Sequence, residues 1–313
     1  MLYVAGSGRS GSTLLGSLLG SVPGMAHVGE LRQVWQRGVL EDWRCGCGAA
    51  FSACPLWQPV LADAFPPDGR PDAAAALAAQ AALLRVRHVP LVLASRLVPG
   101  LLRRRTARCA PFLVPLYRAA ARHTGVTVVV DTSKTPSYAW MLGRLPGFDV
   151  RDVHLVRDPR GSAYSWGRLR ARGDAGSARD MDRFGPLKAA GLWTLWNGLT
   201  ELLLAGGRHR GRYLRLRYED LVTEPAAGLR RVCALAGLPD PDLGFLDGTH
   251  AQLATSHTVS GNPSRMDTGP VRLVPDVAWL ARMRGRDRRL VTAVTRVRLS
   301  RYGYPVRCPR QAA

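Results

Sequence analysis

The feature that most constrains the fold is a glycine-rich turn, GSGRSGST, at residues 6–13. The apolar run from Leu2 to Ala5 before it is typical of a buried strand, and Leu14, Leu15, Leu18 and Leu19 after it follow helical spacing. A strand, a glycine-rich turn and a helix in this order direct backbone N–H groups and the positive end of a helix dipole at one concave surface. The stretch therefore predicts an anion site that needs no metal. The alternative is a plain Gly/Ser-rich turn.

The turn matches a Walker A loop, G-x-x-x-x-G-K-[ST], at every defining position except one, because Ser12 stands where that motif has lysine. That lysine binds the β- and γ-phosphates of a nucleoside triphosphate, close to Mg²⁺. With Ser12 in its place and a guanidinium at Arg9, the turn suits a ligand that presents a single phosphate here. The pattern disfavours the alternative of a P-loop nucleotide kinase.

The 313-residue chain has a formal net charge of +21, nearly all from arginine, since Lys134 and Lys188 are its only lysines. This charge favours anionic ligands, acidic acceptors, or a nucleic-acid or membrane surface. The scarcity of lysine indicates a coding bias. We therefore expect part of the charge to lie on solvent-exposed arginines that bind no ligand. Arginine clusters such as residues 103–105 lack interleaved aromatic residues, which weakens the alternative of a basic nucleic-acid or membrane adaptor. We expect no nucleic-acid partner.

No apolar run is long enough for a spanning helix, because Arg96 and Pro99 interrupt the stretch from Val89 to Leu102. That stretch could still lie on a membrane surface, although a buried amphipathic helix is the commoner explanation. No charged segment precedes Leu2, and the loosely signal-like residues 14–26 are broken by glycines and a proline. We expect a cytoplasmic protein and leave its oligomeric state open.

Three of the six cysteines lie close together, as Cys45, Cys47 and Cys54. They could bind zinc with a fourth ligand such as His27, or form one disulfide. Their C-x-C-x6-C spacing is not the usual paired C-x2-C zinc pattern, and thiols stay reduced in a cytoplasm. We therefore expect free or structural thiols and no metal.

Strands alternate with helices along the rest of the chain, which predicts a parallel sheet covered by helices. The fold class is α/β, a P-loop-like three-layer fold with a central parallel β-sheet flanked by helices. Beyond the first strand, we predict strands at residues 25–28, 126–130, 152–156 and 213–216. Helices are predicted at about residues 30–39 and 218–235. Residues 60–125, rich in Ala, Leu and Arg, predict a helical insertion or cap within a single domain of residues 1–313.

Ligands of such sheets bind at the carboxyl ends of the strands, so residues that follow each strand are candidates for the site. Glu30 follows the second predicted strand, Lys134 the third, and Arg157 and Ser165 the fourth. The sequence thus predicts that basic groups, hydroxyls and one carboxylate meet at one edge with the glycine-rich turn.

Five segments of the chain belong together: GSGRSGSTLL, HVGELR, VDTSK, LVRDPRGSAYSWGR and RLRYEDL. In this order they resemble the sulfotransferases that use 3′-phosphoadenosine-5′-phosphosulfate (PAPS), especially a bacterial group akin to the tyrosylprotein and carbohydrate sulfotransferases. The resemblance extends over roughly residues 1–40 and 125–285 and leaves the insertion uncovered. It implies sulfuryl transfer from PAPS to an acceptor hydroxyl, with adenosine 3′,5′-bisphosphate as product and no metal required. The acceptor stays open: a sugar, phenol, peptide tyrosine, lipid or secondary metabolite.

The resemblance also implies which residues hold PAPS. The residues implied to bind the 5′-phosphosulfate are Arg9, Ser10, Gly11, Ser12 and Thr13. Those implied to bind the 3′-phosphate are Arg157 and Ser165, and Tyr218 is implied to lie near the nucleotide. The loop implied to close over PAPS contains Gly261, Asn262 and Arg265. Two of these residues have a simpler alternative. Arg157 could belong to a helix cap at Asp158-Pro159, and Tyr218 could be an ordinary core residue. We assign Arg160 to salt bridging. His257 could line the pocket but is more often a structural residue.

The resemblance further implies the chemistry. The acceptor oxygen attacks sulfur in line, and Arg9 and Lys134 stabilise the charge on the leaving phosphate. Glu30 matches the catalytic base, and we expect partial burial to raise its pKa. An acidic residue in the first turn of a helix is also favoured by the helix dipole alone. His27 is the alternative base, although the alternation of side chains along the strand could turn its ring toward the core.

Overall fold

The computed structural model describes residues 1–66, 69, 71–84, 88–93, 99–168, 182–206 and 211–307. Its main sheet has five strands in the order β2-β3-β1-β4-β5. They are β1 (Leu2–Ala5), β2 (Met25–Gly29), β3 (Val128–Lys134), β4 (Arg151–Val156) and β5 (Tyr213–Arg217). Every neighbouring pair is parallel, so the predicted parallel sheet is confirmed.

Helices cover both faces of this sheet. They are α1 (Ser12–Gly20), α2 (Trp57–Ala64), α3 (Ala73–Leu84), α4 (Val89–Leu93), α5 (Pro99–Thr124), α6 (Pro136–Leu142), α7 (Pro159–Gly167), α8 (Pro186–Leu204), α9 (Tyr218–Thr223), α10 (Pro225–Ala236), α11 (Ala278–Arg282) and α12 (Gly285–Arg301). The predicted α/β class, with helices on either side of a central sheet, is confirmed.

The central strand β1 explains the layering, because all four of its residues are fully buried. Leu2 and Val4 pack in a core cluster with leucines of α1 and α10. Tyr3 and Ala5 pack in a second cluster with residues of α5 and α6. Since successive side chains of a strand point to opposite faces, a strand buried on both faces must be apolar throughout.

Three predicted elements differ from the observed ones. Strand β3 ends at Lys134, so the residues DTSK lie within the strand instead of after it. The helix predicted at residues 30–39 is a 3₁₀ turn, Leu31–Gln33, followed by a π-helix, Val34–Leu40. The helix predicted at residues 218–235 is divided into α9 and α10, because Pro225 lacks an N–H group and begins a new helix.

Helices α3, α4 and α5 lie within the predicted insertion, and they share a core cluster with β1 and β2 through Leu83, Val92 and Leu113. The stretch from Val89 to Leu102 contributes Val92 and Leu102 to that core. Its residues 94–98 lie outside the described residues. The division of the chain into a domain and an insertion stays a prediction. Among the described residues, no helix is both long and apolar enough to cross a membrane.

The sequence did not predict a second, antiparallel sheet, in the order β6-β7-β8. Its strands are β6 (Leu246–Asp247), β7 (His250–Leu253) and β8 (Gly269–Arg272). The segment of residues 254–268 connects β7 to β8. Val259 N–H donates to the Val28 carbonyl at 3.1 Å, which holds this segment against the end of β2.

Candidate active site

A cavity of about 360 Å³ opens at the carboxyl ends of the parallel strands. Most of the predicted site residues line it: Arg9, Gly11, Ser12, Thr13, Glu30, Lys134, Arg157, Ser165, Tyr218, Gly261 and Asn262. The side chains of Ser10 and Arg265 do not, since both residues are buried beside it. Arg265 donates from Nη2 to the Arg44 carbonyl at 2.6 Å. The structure therefore brings Arg9, Lys134 and Arg157 to one cavity.

The glycine-rich turn delivers the N-terminus of α1 to this cavity. Gly11 caps the helix at φ 92°, a left-handed conformation that favours glycine. A Cβ atom on Gly11 would lie 2.4 Å from Cδ2 of Tyr218, so the aromatic ring packs directly on the turn. The first N–H groups of a helix have no intrahelical partner, and here Ser12 and Thr13 face the cavity. The turn can therefore bind an anion with backbone donors and the helix dipole.

Two cationic residues of the cavity have unusual backbone conformations. Arg9 has φ 65° and Lys134 has φ 64°, and among the described residues the only other non-glycine with positive φ is Asp42. Such conformations cost on the order of 1 kcal/mol each and cluster at functional sites. The fold therefore holds these two side chains in place at some cost in stability.

Lys134 forms an ion pair with Glu30, donating from Nζ to Oε1. The same ammonium donates to the Thr132 carbonyl at 3.1 Å. Burial alone would raise the pKa of Glu30, but the charges of Lys134 and Arg37 outweigh it and hold this pKa below its usual value. The expectation of a raised pKa is wrong, because β3 places the Lys134 ammonium beside the carboxylate.

Arg157 is held by several partners. Its guanidinium donates to Oδ2 of Asp276 at 2.9 Å and to the Arg9 carbonyl at 3.3 Å. It also lies 4.7 Å from the ring centroid of Tyr218, within the range of a cation–π contact. Trp193 donates from Nε1 to the Arg157 carbonyl at 2.9 Å. These contacts fix a nearly buried guanidinium at the cavity wall.

The residues after Arg157 start α7, and they form the helix cap that the Asp158-Pro159 pair indicates. Asp158 caps the helix by accepting from the Arg160 N–H at 2.8 Å. Arg160 forms a buried salt bridge with Asp158 at 2.7 Å, which matches its assignment to salt bridging. Two turns further on, α7 brings Ser165 to the cavity.

Several residues that line the cavity are not among the predicted site residues, and they include Arg37, Trp166 and Asp276. The Arg37 guanidinium donates to Oγ of Ser260, and the Arg9 guanidinium lies 4.9 Å from the Trp166 ring centroid. Trp166 directly follows Ser165 in the segment LVRDPRGSAYSWGR, so the motif that predicts Ser165 also contains Trp166. Arg37 and Asp276 belong to no recognised motif.

His27 turns inward and does not line the cavity. It is 4% exposed, and Nε2 lies 3.1 Å from Oγ1 of Thr132. Burial lowers its pKa to about 3. Its ring packs against Gly16 of α1, where no larger side chain would fit. This environment disfavours His27 as a base, since the ring has no access to a bound substrate.

The cavity can therefore bind a ligand with two separate anionic groups. One anion fits the N-terminus of α1 beside Arg9 and Lys134, and the other fits Arg157. Glu30 lies next to the first position and can accept a proton there.

The chain is similar to known proteins in sequence and in fold. Residues 2–242 match the family model described as "Sulfotransferase family". The chain is 28% identical to carbohydrate sulfotransferase 7 of Mus musculus over 76% of its own length. The corresponding protein of Rattus norvegicus is 27% identical over the same share. The chain spans 60% of the length of these curated relatives.

Two solved structures are similar in fold. The sulfotransferase domain from the curacin biosynthetic pathway matches with a TM-score of 0.51 at 18% identity, covering 97% of this chain and 98% of that domain. The sulfotransferase domain from the Synechococcus PCC 7002 olefin synthase matches with a TM-score of 0.53 at 20% identity, covering 97% and 95%. At these identities the likeness supports the helix-flanked sheet alone.

Proposed function

The chain belongs to the sulfotransferase family, and on that premise we propose that it transfers the sulfuryl group of PAPS to an acceptor hydroxyl in the cavity described above. The observation that carries the proposal is that Arg9, Lys134 and Arg157, distant in sequence, line one cavity with the N-terminus of α1. This arrangement suits a nucleotide with two separate phosphates, one of them sulfated.

In this proposal the 5′-phosphosulfate binds at the glycine-rich turn. The N–H groups from Ser10 to Thr13 surround the phosphate, while Arg9 and Lys134 supply positive charge. Because the Ser10 side chain is buried, this residue contributes only its backbone. Arg265 acts indirectly, since its bond to the Arg44 carbonyl anchors the segment that contains Gly261 and Asn262.

The 3′-phosphate binds Arg157 and Ser165. It replaces the Asp276 carboxylate, whose Oδ2 accepts a hydrogen bond from this guanidinium at 2.9 Å. A phosphate can accept two parallel bonds from the guanidinium, which makes it a strong competitor. The Tyr218 ring keeps the guanidinium in position.

The reaction is an in-line displacement at sulfur. The acceptor oxygen forms a bond to sulfur, and the bond between sulfur and the bridging oxygen of the 5′-phosphate breaks. The electron pair stays with adenosine 3′,5′-bisphosphate, where Arg9, Lys134 and the α1 dipole stabilise it. The proton of the acceptor hydroxyl goes to Glu30.

Glu30 becomes a better base when PAPS binds. The ion pair with Lys134 keeps the pKa of this carboxylate low. Once the ammonium turns to the phosphosulfate, that charge no longer stabilises the carboxylate, so its pKa rises toward the value that burial favours. Lys134 thus couples nucleotide binding to the activation of the base.

The acceptor class stays open among sugars, phenols, peptide tyrosines, lipids and secondary metabolites. The curated relatives are carbohydrate sulfotransferases by name, so carbohydrates are the first class to test. The cytoplasmic location also stays a prediction.

The test has two parts. Calorimetry should detect binding of adenosine 3′,5′-bisphosphate without Mg²⁺, whereas ATP with Mg²⁺ should bind more weakly. Labelled PAPS incubated with one member of each acceptor class should then identify the acceptor. Absence of nucleotide binding by folded protein, or a requirement for Mg²⁺, would contradict the proposal. Binding to DNA or anionic vesicles without nucleotide preference would support the adaptor alternative instead.

A further inference from the structure

Four side chains outside the cavity bring soft metal-binding atoms together. They are Cys45, Cys47, Cys54 and His257, and their ligand atoms all lie within 4.8 Å of one another. The three cysteines come from one short loop, whereas His257 lies 203 residues beyond Cys54. The sequence favours free or structural thiols and suggests a fourth zinc ligand such as His27 only as an alternative, because nothing in the spacing indicates the distant His257.

The separations fit a tetrahedral metal site. Around zinc, bonds of about 2.3 Å to sulfur and about 2.0 Å to nitrogen place neighbouring sulfurs about 3.8 Å apart and sulfur about 3.5 Å from nitrogen. The Cys54 sulfur lies 3.5 Å from that of Cys45 and 3.9 Å from that of Cys47. Nδ1 of His257 lies 3.3 Å from the Cys54 sulfur and 3.9 Å from the Cys45 sulfur. All three cysteines are free, so no disulfide uses them.

The surrounding backbone holds the four ligands in this arrangement. The N–H groups of Cys45 and Gly48 donate to the carbonyls of Ala49 and Cys45, at 2.8 and 2.9 Å, which closes a tight turn around Cys47. Trp57 donates from Nε1 to the His257 carbonyl at 2.8 Å. These contacts join the cysteine loop to the distant histidine.

Gly46 allows the two segments to approach closely. Its N–H donates to the Thr258 carbonyl at 3.0 Å. A Cβ atom here would lie 2.4 Å from Oγ1 of Thr258 and 2.5 Å from the Ser256 carbonyl, which no side chain could tolerate. The glycine between the first two cysteines is therefore needed for His257 to reach them.

We propose that Cys45, Cys47, Cys54 and His257 bind one Zn²⁺ in a closed structural site. Three thiolates and an imidazole are a common ligand set for structural zinc, and soft sulfur ligands select zinc over Mg²⁺ or Ca²⁺. Binding releases the three thiol protons to solvent. With all four positions taken by protein, the metal has no open position for catalysis.

The metal would fasten the segment of residues 254–268 to the N-terminal half of the chain. His257 lies four residues before Gly261, and Gly261 and Asn262 line the cavity. Zinc at this place would keep that segment closed over a bound nucleotide. This consequence rests on the proposed function, whereas the metal site itself does not.

The test measures the metal directly in the full-length protein. Wild-type protein purified without added chelator should contain about one zinc per chain by mass spectrometry. Replacement of zinc by Co²⁺ should give thiolate charge-transfer bands and the visible spectrum of a tetrahedral site. Absence of zinc and of the Co²⁺ spectrum, or a disulfide within residues 45–54 in peptide mapping, would overturn the proposal.

Variants test the ligand assignment. Cys47→Ser and His257→Gln should lose the zinc, and Cys47 is the least buried of the three cysteines, so its change disturbs packing least. Cys109→Ser is the matched control, because this buried thiol lies elsewhere and bonds to the Ala79 carbonyl at 3.5 Å. Full zinc occupancy in folded Cys47→Ser and His257→Gln would overturn the assignment, as would its loss in folded Cys109→Ser.

Removal of zinc should also weaken the binding of adenosine 3′,5′-bisphosphate to the wild-type protein, and restored zinc should reverse the loss. Equal affinity with and without zinc would overturn the role in closing the segment. If zinc-loaded protein does not bind this nucleotide at all, the proposed function fails while the measured zinc still supports the metal site.

Discussion

The Lys134 ammonium and the Glu30 carboxylate form an ion pair at the ends of two neighbouring strands, β3 and β2. Each side chain is mostly buried, with 19% of Lys134 and 14% of Glu30 exposed. A pair this enclosed is weakly screened by solvent, so removal of one partner leaves an uncompensated charge on the other. The proposed reaction uses this relationship, because the ammonium is needed on the leaving phosphate and the carboxylate on the acceptor proton.

Replacement of Lys134 should remove most of the activity. We expect Lys134→Ala to lower turnover with PAPS by at least about 100-fold, since it removes a charge that stabilises the leaving phosphate. The only other lysine in the chain, Lys188, is exposed on α8, so Lys188→Ala is a matched control that should keep wild-type turnover. Steady-state kinetics would measure the turnover of both variants, provided that their circular dichroism spectra match that of the wild type. Turnover of Lys134→Ala within about threefold of wild type, well short of the loss expected for such a charge, would exclude this role.

Replacement of Glu30 should separate catalysis from binding. Glu30→Gln should lower kcat by roughly 100-fold or more, the usual size of a general-base contribution. Its affinity for adenosine 3′,5′-bisphosphate should be kept or increased, because the carboxylate no longer competes for Lys134. Calorimetry and kinetics on Glu30→Gln, with the exposed Glu41→Gln as control, would measure both. A loss of nucleotide affinity that matches the loss of kcat would assign Glu30 to binding instead.

The pH profile gives a second test of Glu30. While Lys134 is paired with it, the pKa of this carboxyl is held below its usual value, so the group is ionised at neutral pH and protonated only in acid. In the complex the pKa should be higher, since Lys134 then faces the phosphosulfate. The acid limb of kcat should therefore lie at higher pH than the acid limb of kcat/KM, and both should vanish in Glu30→Gln. Coincident limbs would argue against the exchange of partners by Lys134.

The sequence predicts the parts of this molecule that follow from local chemistry. The apolar strand β1, the glycine-rich turn and the Asp158-Pro159 helix start are all recognisable, because each depends on neighbouring residues. The places of Arg37 and Asp276 in the cavity, and the position of His257 beside the cysteines, could not be found in this way. These residues reach their positions through a π-helix, the segment beyond β8 and the segment between β7 and β8, and these placements depend on long-range packing that has no local pattern.

The Asp276 carboxylate should compete with the 3′-phosphate for the Arg157 guanidinium. We expect Asp276→Asn to bind adenosine 3′,5′-bisphosphate more tightly, because the amide keeps the shape of the carboxylate but not its charge. Arg157→Ala should bind it roughly 10- to 100-fold more weakly, as expected for the loss of a charged hydrogen bond. Adenosine 5′-monophosphate, which lacks the 3′-phosphate, should bind both variants much as it binds wild type. Equal effects on the two nucleotides would mean that Arg157 does not bind the 3′-phosphate.

The turn itself can be tested at Gly11. Gly11→Ala would put a methyl group 2.4 Å from Cδ2 of Tyr218 at a backbone φ of 92°, so either the ring or the turn must shift. We expect a loss of about 1–3 kcal/mol in the free energy of unfolding, from the strained left-handed backbone. The same shift should move the first N–H groups of α1 and weaken nucleotide binding.

Gly191→Ala is the matched control for this change. Gly191 lies within α8 with no heavy atom within 4 Å of the added Cβ, so alanine should stabilise the helix by up to about 1 kcal/mol. Thermal unfolding and calorimetry of both variants should therefore give opposite shifts in stability and a loss of nucleotide affinity in Gly11→Ala alone. If Gly11→Ala kept wild-type affinity while it remained folded, the phosphate would have to bind elsewhere than at the start of α1.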